Sequence, residues 1–186
     1  MDKYVAFLRG INVGGHKPVK MDELRKAFEA LGFQKVKTLL ASGNVLFDTP
    51  KAKPLSLTRS IEAKLEEAFG HKIDVLLRSI GEIKALADSR PFQKIKVTPQ
   101  TRLYVTFLSE KPKSDLKVPH ESADKNFTIL RVSNSEVCSV LTLSLKGRTV
   151  DLMDVLEKVF GKNVTTRNWN TITKILSAAQ AVNPST

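Results

Sequence analysis

The order of secondary-structure elements in residues 3–78 constrains the fold of this chain more than any other feature of its sequence. Apolar, β-favouring runs and stretches with helical spacing of apolar residues alternate as strand, helix, strand, strand, helix, strand. This order is the split βαβ arrangement, with two helices packed on a four-stranded antiparallel sheet. We therefore expect an α+β protein whose first half is ferredoxin-like.

The bounds of these elements follow from the residues that start and stop them. The helix beginning at Met21 has acidic residues in its first turn and Gly32 just after its end. Ser79 and Glu82 have the spacing of a capping box, which predicts a short helix through about Ala87. The other predicted elements are strands 3–9, 36–41, 45–48 and 73–78, and a helix over 56–69 that ends at Gly70.

The second half of the sequence reads as a related or truncated copy of the first. Residues 103–108 (LYVTFL) resemble residues 4–9 (YVAFLR), whereas the spacer 110–126 has poor helical periodicity. The predicted elements are strands 102–109, 127–132 and 136–145 and helices 150–160 and 169–182. The predicted division is a first subdomain over 1–93, a linker over 94–101 and a second subdomain over 102–186.

The chain is strongly and evenly basic. It carries 30 Lys and Arg against 19 Asp and Glu, a formal net charge of +11. The excess is +3 in residues 1–50, +4 in 51–100 and +4 in 101–186, so the charge is not in a tail. A basic globule attracts polyanions without selecting among them, which leaves nucleic acid, a phosphorylated small molecule or solubility alone as explanations.

Several classes of protein are disfavoured. The amino terminus has no signal-peptide pattern and no apolar run approaches the roughly 20 residues of a membrane span, which predicts a cytoplasmic protein. A single cysteine, Cys138, cannot form an internal disulfide, and His16, His71 and His120 lack metal-ligand spacing. We predict no metal and no cofactor, and the sequence indicates no catalytic residue and no oligomeric state.

A Gly-rich loop between the first strand and the first helix is the most informative motif. Glycines there let backbone N–H groups face a ligand, and the following helix N-terminus favours an anion. The spacing matches neither a P-loop nor the dinucleotide-binding fingerprint, so a structural turn is the alternative. The candidate ligand-binding residues in the loop are Arg9, Gly10, Asn12, Gly14, Gly15, Lys17 and Lys20.

Two further polar motifs complete the candidate site. Ser42, Gly43 and Asn44 form a hairpin turn that the predicted topology places at the same sheet edge as the loop. Near the end of the chain, Arg167 could bind a carboxylate or phosphate, with the sole tryptophan, Trp169, as a stacking surface. The alternatives are that the hairpin motif only makes a turn and that Asn168 caps the last helix while Trp169 packs.

An RNA-recognition motif is disfavoured by the third predicted strand. Aligning Gly43 with the glycine of that motif places Asn44 and Leu46 where stacking aromatics belong. Only 6% of the residues are aromatic. Binding of nucleic acid through backbone charge remains open.

Three motifs resemble those of a known bacterial family. Residues 4–15 with 19–21 resemble the opening of the DUF1697 family (domain of unknown function), and residues 41–45 and 166–171 resemble its other two signatures. Leu39 stands where that family would have a tyrosine. The resemblance implies a cytoplasmic α+β protein with a ferredoxin-like portion and no established activity.

The sequence therefore supports three hypotheses. The leading one is a site for a phosphorylated or otherwise anionic small molecule built from the three polar motifs. The second is a nonspecific nucleic-acid-binding module, and the third is a protein-interaction domain without a ligand.

Overall fold

A computed structural model describes residues 1–13, 18–113, 116–144 and 151–181. The chain divides into two compact units, Met1–Ala85 with Lys174–Thr186, and Leu86–Thr173. The boundary lies before the linker that the sequence predicts at 94–101, and the end of the last helix belongs to the first unit. A hydrogen bond attaches this end of the helix to the first strand: the Lys3 ammonium donates to the carbonyl oxygen of Ala179 at 2.8 Å.

The first unit has the predicted ferredoxin-like topology. Its elements are β1 (Asp2–Leu8), α1 (Met21–Ala30), β2 (Gln34–Leu39), β3 (Asn44–Thr49), α2 (Pro54–Phe69), β4 (Val75–Ser79) and the start of α3 (Ile80–Asp88). The strand order is β2-β3-β1-β4, with every neighbouring pair antiparallel. The predicted α+β class is therefore confirmed, and the capping box at Ser79 and Glu82 forms as expected.

The core of this unit lies between the sheet and its two helices. Alternate residues of β1 and β3 face α1 and α2, whose buried positions recur every three or four residues, as an amphipathic helix requires. Phe47 of β3 lies 4.4 Å from Phe33 and 5.5 Å from Phe28, measured between ring centroids. The buried helix residues are Leu24, Ala27 and Phe28 of α1 and Leu57, Ile61 and Leu65 of α2.

The second unit contains two strands that the sequence did not reveal. Its elements are β5 (Thr101–Leu108), β6 (His120–Glu121), β7 (Phe127–Val132), β8 (Glu136–Thr142), α4 (Leu152–Phe160), β9 (Val164–Asn168) and the start of α5 (Trp169–Gln180). The order is β6-β7-β8-β5-β9. Strand β9 escaped prediction because its sequence, VTTRN, is mostly polar, and β6 because it has only two residues.

The two units repeat one another in hydrogen-bond register. In the first unit, Val5 pairs with Arg78 and Leu8 pairs with Val75. In the second, Val105 pairs with Arg167 and Leu108 pairs with Val164. The sheet order β7-β8-β5-β9 thus matches β2-β3-β1-β4, with no helix among the described residues between β5 and β7. The second half is a related, truncated copy, as the sequence indicates.

No helix in the described parts of the chain combines the length and apolar character needed to cross a bilayer.

Cys138 is buried on β8, and burial raises the pKa of its thiol from 9.0 to about 11. As the pH rises, the thiol therefore ionises at a lower pH in the unfolded chain than in the folded one. The buried thiol makes its full contribution to stability below about pH 9, and this contribution declines as the pH approaches 11.

We expect the difference in free energy of unfolding between the native protein and Cys138→Ala to shrink by about 2 kcal/mol between about pH 8 and pH 10.5. Urea unfolding of both proteins at the two pH values measures it, and the variant controls for the titration of every other group. An unchanged difference would show that the thiol titrates alike in the folded and unfolded chains.

Candidate functional site

The loop after β1 is tied to the β2–β3 turn by the side chain of Asn12. Its Nδ2 donates to the carbonyl oxygens of Ala41, at 2.9 Å, and Val19, at 3.1 Å. Its Oδ1 accepts from the backbone N–H of Val19 at 2.8 Å. One amide thus joins both ends of the loop and the hairpin, so the first two sequence motifs do meet at one edge of the sheet.

Gly43 makes this junction compatible with close packing. Its φ is +77°, and a Cβ built on it would lie 2.6 Å from Ile11 Cδ1 and 2.9 Å from Leu8 Cβ. Its carbonyl oxygen accepts from the backbone N–H of Leu8 at 2.8 Å. Position 43 therefore requires glycine for two reasons: its backbone is left-handed, and Leu8 and Ile11 leave no room for a Cβ.

Asn44 and Ser42 serve the geometry of the turn. The Asn44 side chain is wholly buried, and its Nδ2 donates to the carbonyl oxygen of Leu39 at 2.8 Å and to Ser42 Oγ at 3.1 Å. Because the amide is used inside the turn, Asn44 shapes the backbone that a ligand would meet. The sequence could place this residue in the turn but could not show its burial.

Two cations of the loop lie near its ends. Arg9 has a quarter-exposed side chain whose Nη1 lies 3.9 Å from Asp74 Oδ2, and the exposed Lys20 lies 3.6 Å from Glu23. Lys20 also occupies the N-cap of α1 and makes no side-chain capping bond. Among the other candidate residues of the loop, Gly10 has a φ of +64° and open space where a Cβ would lie, whereas Gly14, Gly15 and Lys17 lie outside the described residues.

The third motif belongs to the second unit. Arg167 is buried on β9, where its Nη1 donates to Thr165 Oγ1 at 2.8 Å and to the carbonyl oxygen of Thr166 at 2.9 Å. Burial lowers the pKa of Arg167 to about 10, a value still high enough for the guanidinium to be protonated at neutral pH. Asn168 accepts from the backbone N–H of Asn170 at 2.9 Å and so caps α5, as the structural alternative expects.

Trp169 packs edge-on against Phe92, with ring centroids 5.1 Å apart. It also lines a cleft of about 180 Å³, together with Asn168, Asn170 and Arg102. Arg102 is thus the cation that shares this cleft with Trp169. No sequence signal marked Arg102, because it lies near the start of a strand and far along the chain from the tryptophan.

The described residues contain no group of three or more His, Cys, Asp and Glu side chains that could hold a metal ion.

Comparison with known proteins identifies the family. A family model described as a protein of unknown function, DUF1697, matches residues 1–137. The chain belongs to the DUF1697 family. The match includes the loop after β1 and the β2–β3 turn, whereas residues 166–171 lie beyond it. No curated protein matches this DUF1697 chain.

A solved structure shares its fold. The conserved bacterial protein SP0830 from Streptococcus pneumoniae has a TM-score of 0.68 and 21% sequence identity, covering 95% of this chain and 98% of that chain. At this identity, the likeness shows the fold of this DUF1697 protein and carries nothing about its activity.

We expect Gly43→Ala to lower the free energy of unfolding by about 2 to 5 kcal/mol, since it combines a left-handed alanine with overpacking against Leu8 and Ile11. Gly70→Ala is the matched control. Gly70 has a φ of +73° but open space where a Cβ would lie, so only the backbone cost of about 1 to 2 kcal/mol applies. Equal losses in the two variants, measured by urea unfolding, would contradict the close approach at Gly43.

Proposed function

We propose that the loop from Arg9 to Lys20, held against the Ser42–Asn44 turn, binds a phosphorylated or otherwise anionic small molecule. The observation that carries the proposal is the double anchoring of the loop by Asn12. These bonds fix the described ends of the loop, at Asn12 and Val19, against Ala41, and preorganisation of this kind raises affinity. In this proposal Asn12 and Asn44 position the backbone, and the glycines give a ligand access to it.

The charges of the junction suit an anion. The Lys20–Glu23 pair is exposed, and such surface pairs contribute only about 0 to 1 kcal/mol, so Lys20 can turn to a bound anion at little cost. Arg9 directly follows β1, and its quarter-exposed guanidinium places a second positive charge at this edge. The free N-cap of α1 adds a partial positive charge at the same edge.

Melting temperatures recorded with a panel of nucleotides, sugar phosphates and pyrophosphate test the proposal. A ligand at about one hundred times its Kd adds about 2.7 kcal/mol, which raises the melting temperature by roughly 5 to 10 °C in a chain of this size. We expect at least one phosphorylated compound to produce such a shift, and its unphosphorylated form to produce none.

Asn12→Gly should abolish that shift while keeping the left-handed backbone, because Asn12 has a φ of +55° that glycine adopts readily. Asn134→Gly removes an exposed asparagine from the β7–β8 turn and serves as the control. Circular dichroism confirms that each variant is folded at the assay temperature. The absence of a shift for every compound, or an unchanged shift in Asn12→Gly, would refute the proposal.

The even basic charge favours one second candidate, a nonspecific nucleic-acid-binding module. This alternative predicts that affinity for DNA or RNA falls steeply with salt and is independent of sequence, because each neutralised phosphate releases counterions. Affinities for duplex and single-stranded oligonucleotides, measured at about 50 and 200 mM salt, distinguish this module from the small-molecule site. A compact ligand site neutralises far fewer charges, so its affinity depends less on salt.

A further inference from the structure

A second concave feature lies within the second unit, at the end of strand β5. The residues that follow β5 and those that join α4 to β9 enclose a cleft of about 240 Å³. Pro112, Val159 and Phe160 contribute its apolar part. The volume is slightly below the 300 to 1,000 Å³ of pockets for drug-sized ligands, so the cleft suits a compact molecule.

The charged residues that line this cleft are mostly cationic. Three exposed lysines, Lys111, Lys113 and Lys162, line the cleft, together with one carboxylate, that of Glu110. Within the described residues, none of these three ammonium groups has an ion-pair or hydrogen-bond partner. Like charges gathered around a concavity repel one another, and a bound anion relieves that repulsion.

The internal repeat shows how this edge differs from its counterpart. In the first unit, the backbone N–H of Arg9 donates to the carbonyl oxygen of Asp74 at 2.9 Å; in the second, Ser109 donates to Asn163 at 3.2 Å. Asn163 therefore occupies the position of Asp74, the residue whose carboxylate lies near Arg9 and Lys72 in the first unit. The second unit thus has a neutral amide where the first unit has an acid. Lys162 directly precedes this amide in the sequence, and Lys111 and Lys113 line the same cleft.

We infer that this cleft is a second anion site, which takes a compact phosphorylated ligand such as a phosphate monoester or pyrophosphate. Lys111 and Lys113 approach the ligand from the loop after β5, and Lys162 from the opposite wall. Asn163, which also lines the cleft, offers an amide donor. The apolar wall accommodates the carbon portion of a monoester. This inference does not depend on the site proposed in the first unit, since the two sites lie in separate units.

Pyrophosphate and glycerol phosphate, with glycerol as the uncharged control, are the probes. Titration at constant ionic strength should shift the backbone amide NMR signals of residues 110, 111, 113 and 161–163. The triple variant Lys111→Gln, Lys113→Gln, Lys162→Gln should bind at least about tenfold more weakly, a loss of about 1.4 kcal/mol. Asn12→Gly should leave these shifts intact, so the failure of one site is distinguishable from the failure of the other.

A second triple variant controls for net charge. Lys26→Gln, Lys51→Gln, Lys96→Gln removes the same charge from exposed positions outside the cleft and should bind the probes as the native protein does. The inference is overturned if both triple variants weaken binding equally, since that outcome means attraction by overall charge. It is also overturned if no amide of these two segments shifts with either probe at about 10 mM, a concentration well above a millimolar Kd.

Discussion

The antiparallel pairing of β1 with both β3 and β4 fixes the positions of the loops that matter in the first unit. Residues Tyr4–Leu8 of β1 are buried, so their backbone N–H and C=O groups need partners within the protein. Because both neighbours run opposite to β1, the loop after β1, the turn before β3 and the segment before β4 all emerge at one edge. A polar junction at that edge follows from the hydrogen-bond ladder of a single central strand.

The same ladder is repeated around β5, but the edge chemistry differs. The half-buried Arg78 and the buried Arg167 occupy equivalent positions, and each donates through Nη1 to the carbonyl oxygen of the preceding residue. At the loop edge, however, one unit uses an asparagine to anchor a long Gly-containing loop, whereas the other presents lysines around a cleft. The strand register is common to the two units, and the loops are free to differ because few backbone pairings depend on them.

The fold of the first half could be predicted from the sequence because its signals are local. Strands and helices there have clear periodicity, and glycines and the Ser79 capping box mark their ends. Strand β9 was missed because its pairing depends on partners about 60 residues away, such as the hydrogen bond between Thr106 and Thr166. No local pattern encodes that pairing.

The candidate site was predictable in part for the same reason. Its two turns could be placed at one edge from the topology alone, whereas the bond from Asn12 to Ala41 joins residues 29 positions apart. The sequence also could not distinguish a ligand-facing arginine from one that is buried under a sheet edge. Arg167 has the composition of a binding motif, yet its side chain satisfies the backbone and threonine hydroxyl beside it.

The division of the chain has a consequence for its synthesis on the ribosome. The first unit is discontinuous: its sheet is encoded before residue 86, and its remaining part begins at Lys174. The intervening unit emerges from the ribosome before Lys174 does. The hydrogen bond from Lys3 to Ala179 can therefore form only after the whole intervening unit has been translated. The unit whose sheet is translated first is therefore completed after the unit that is inserted into it.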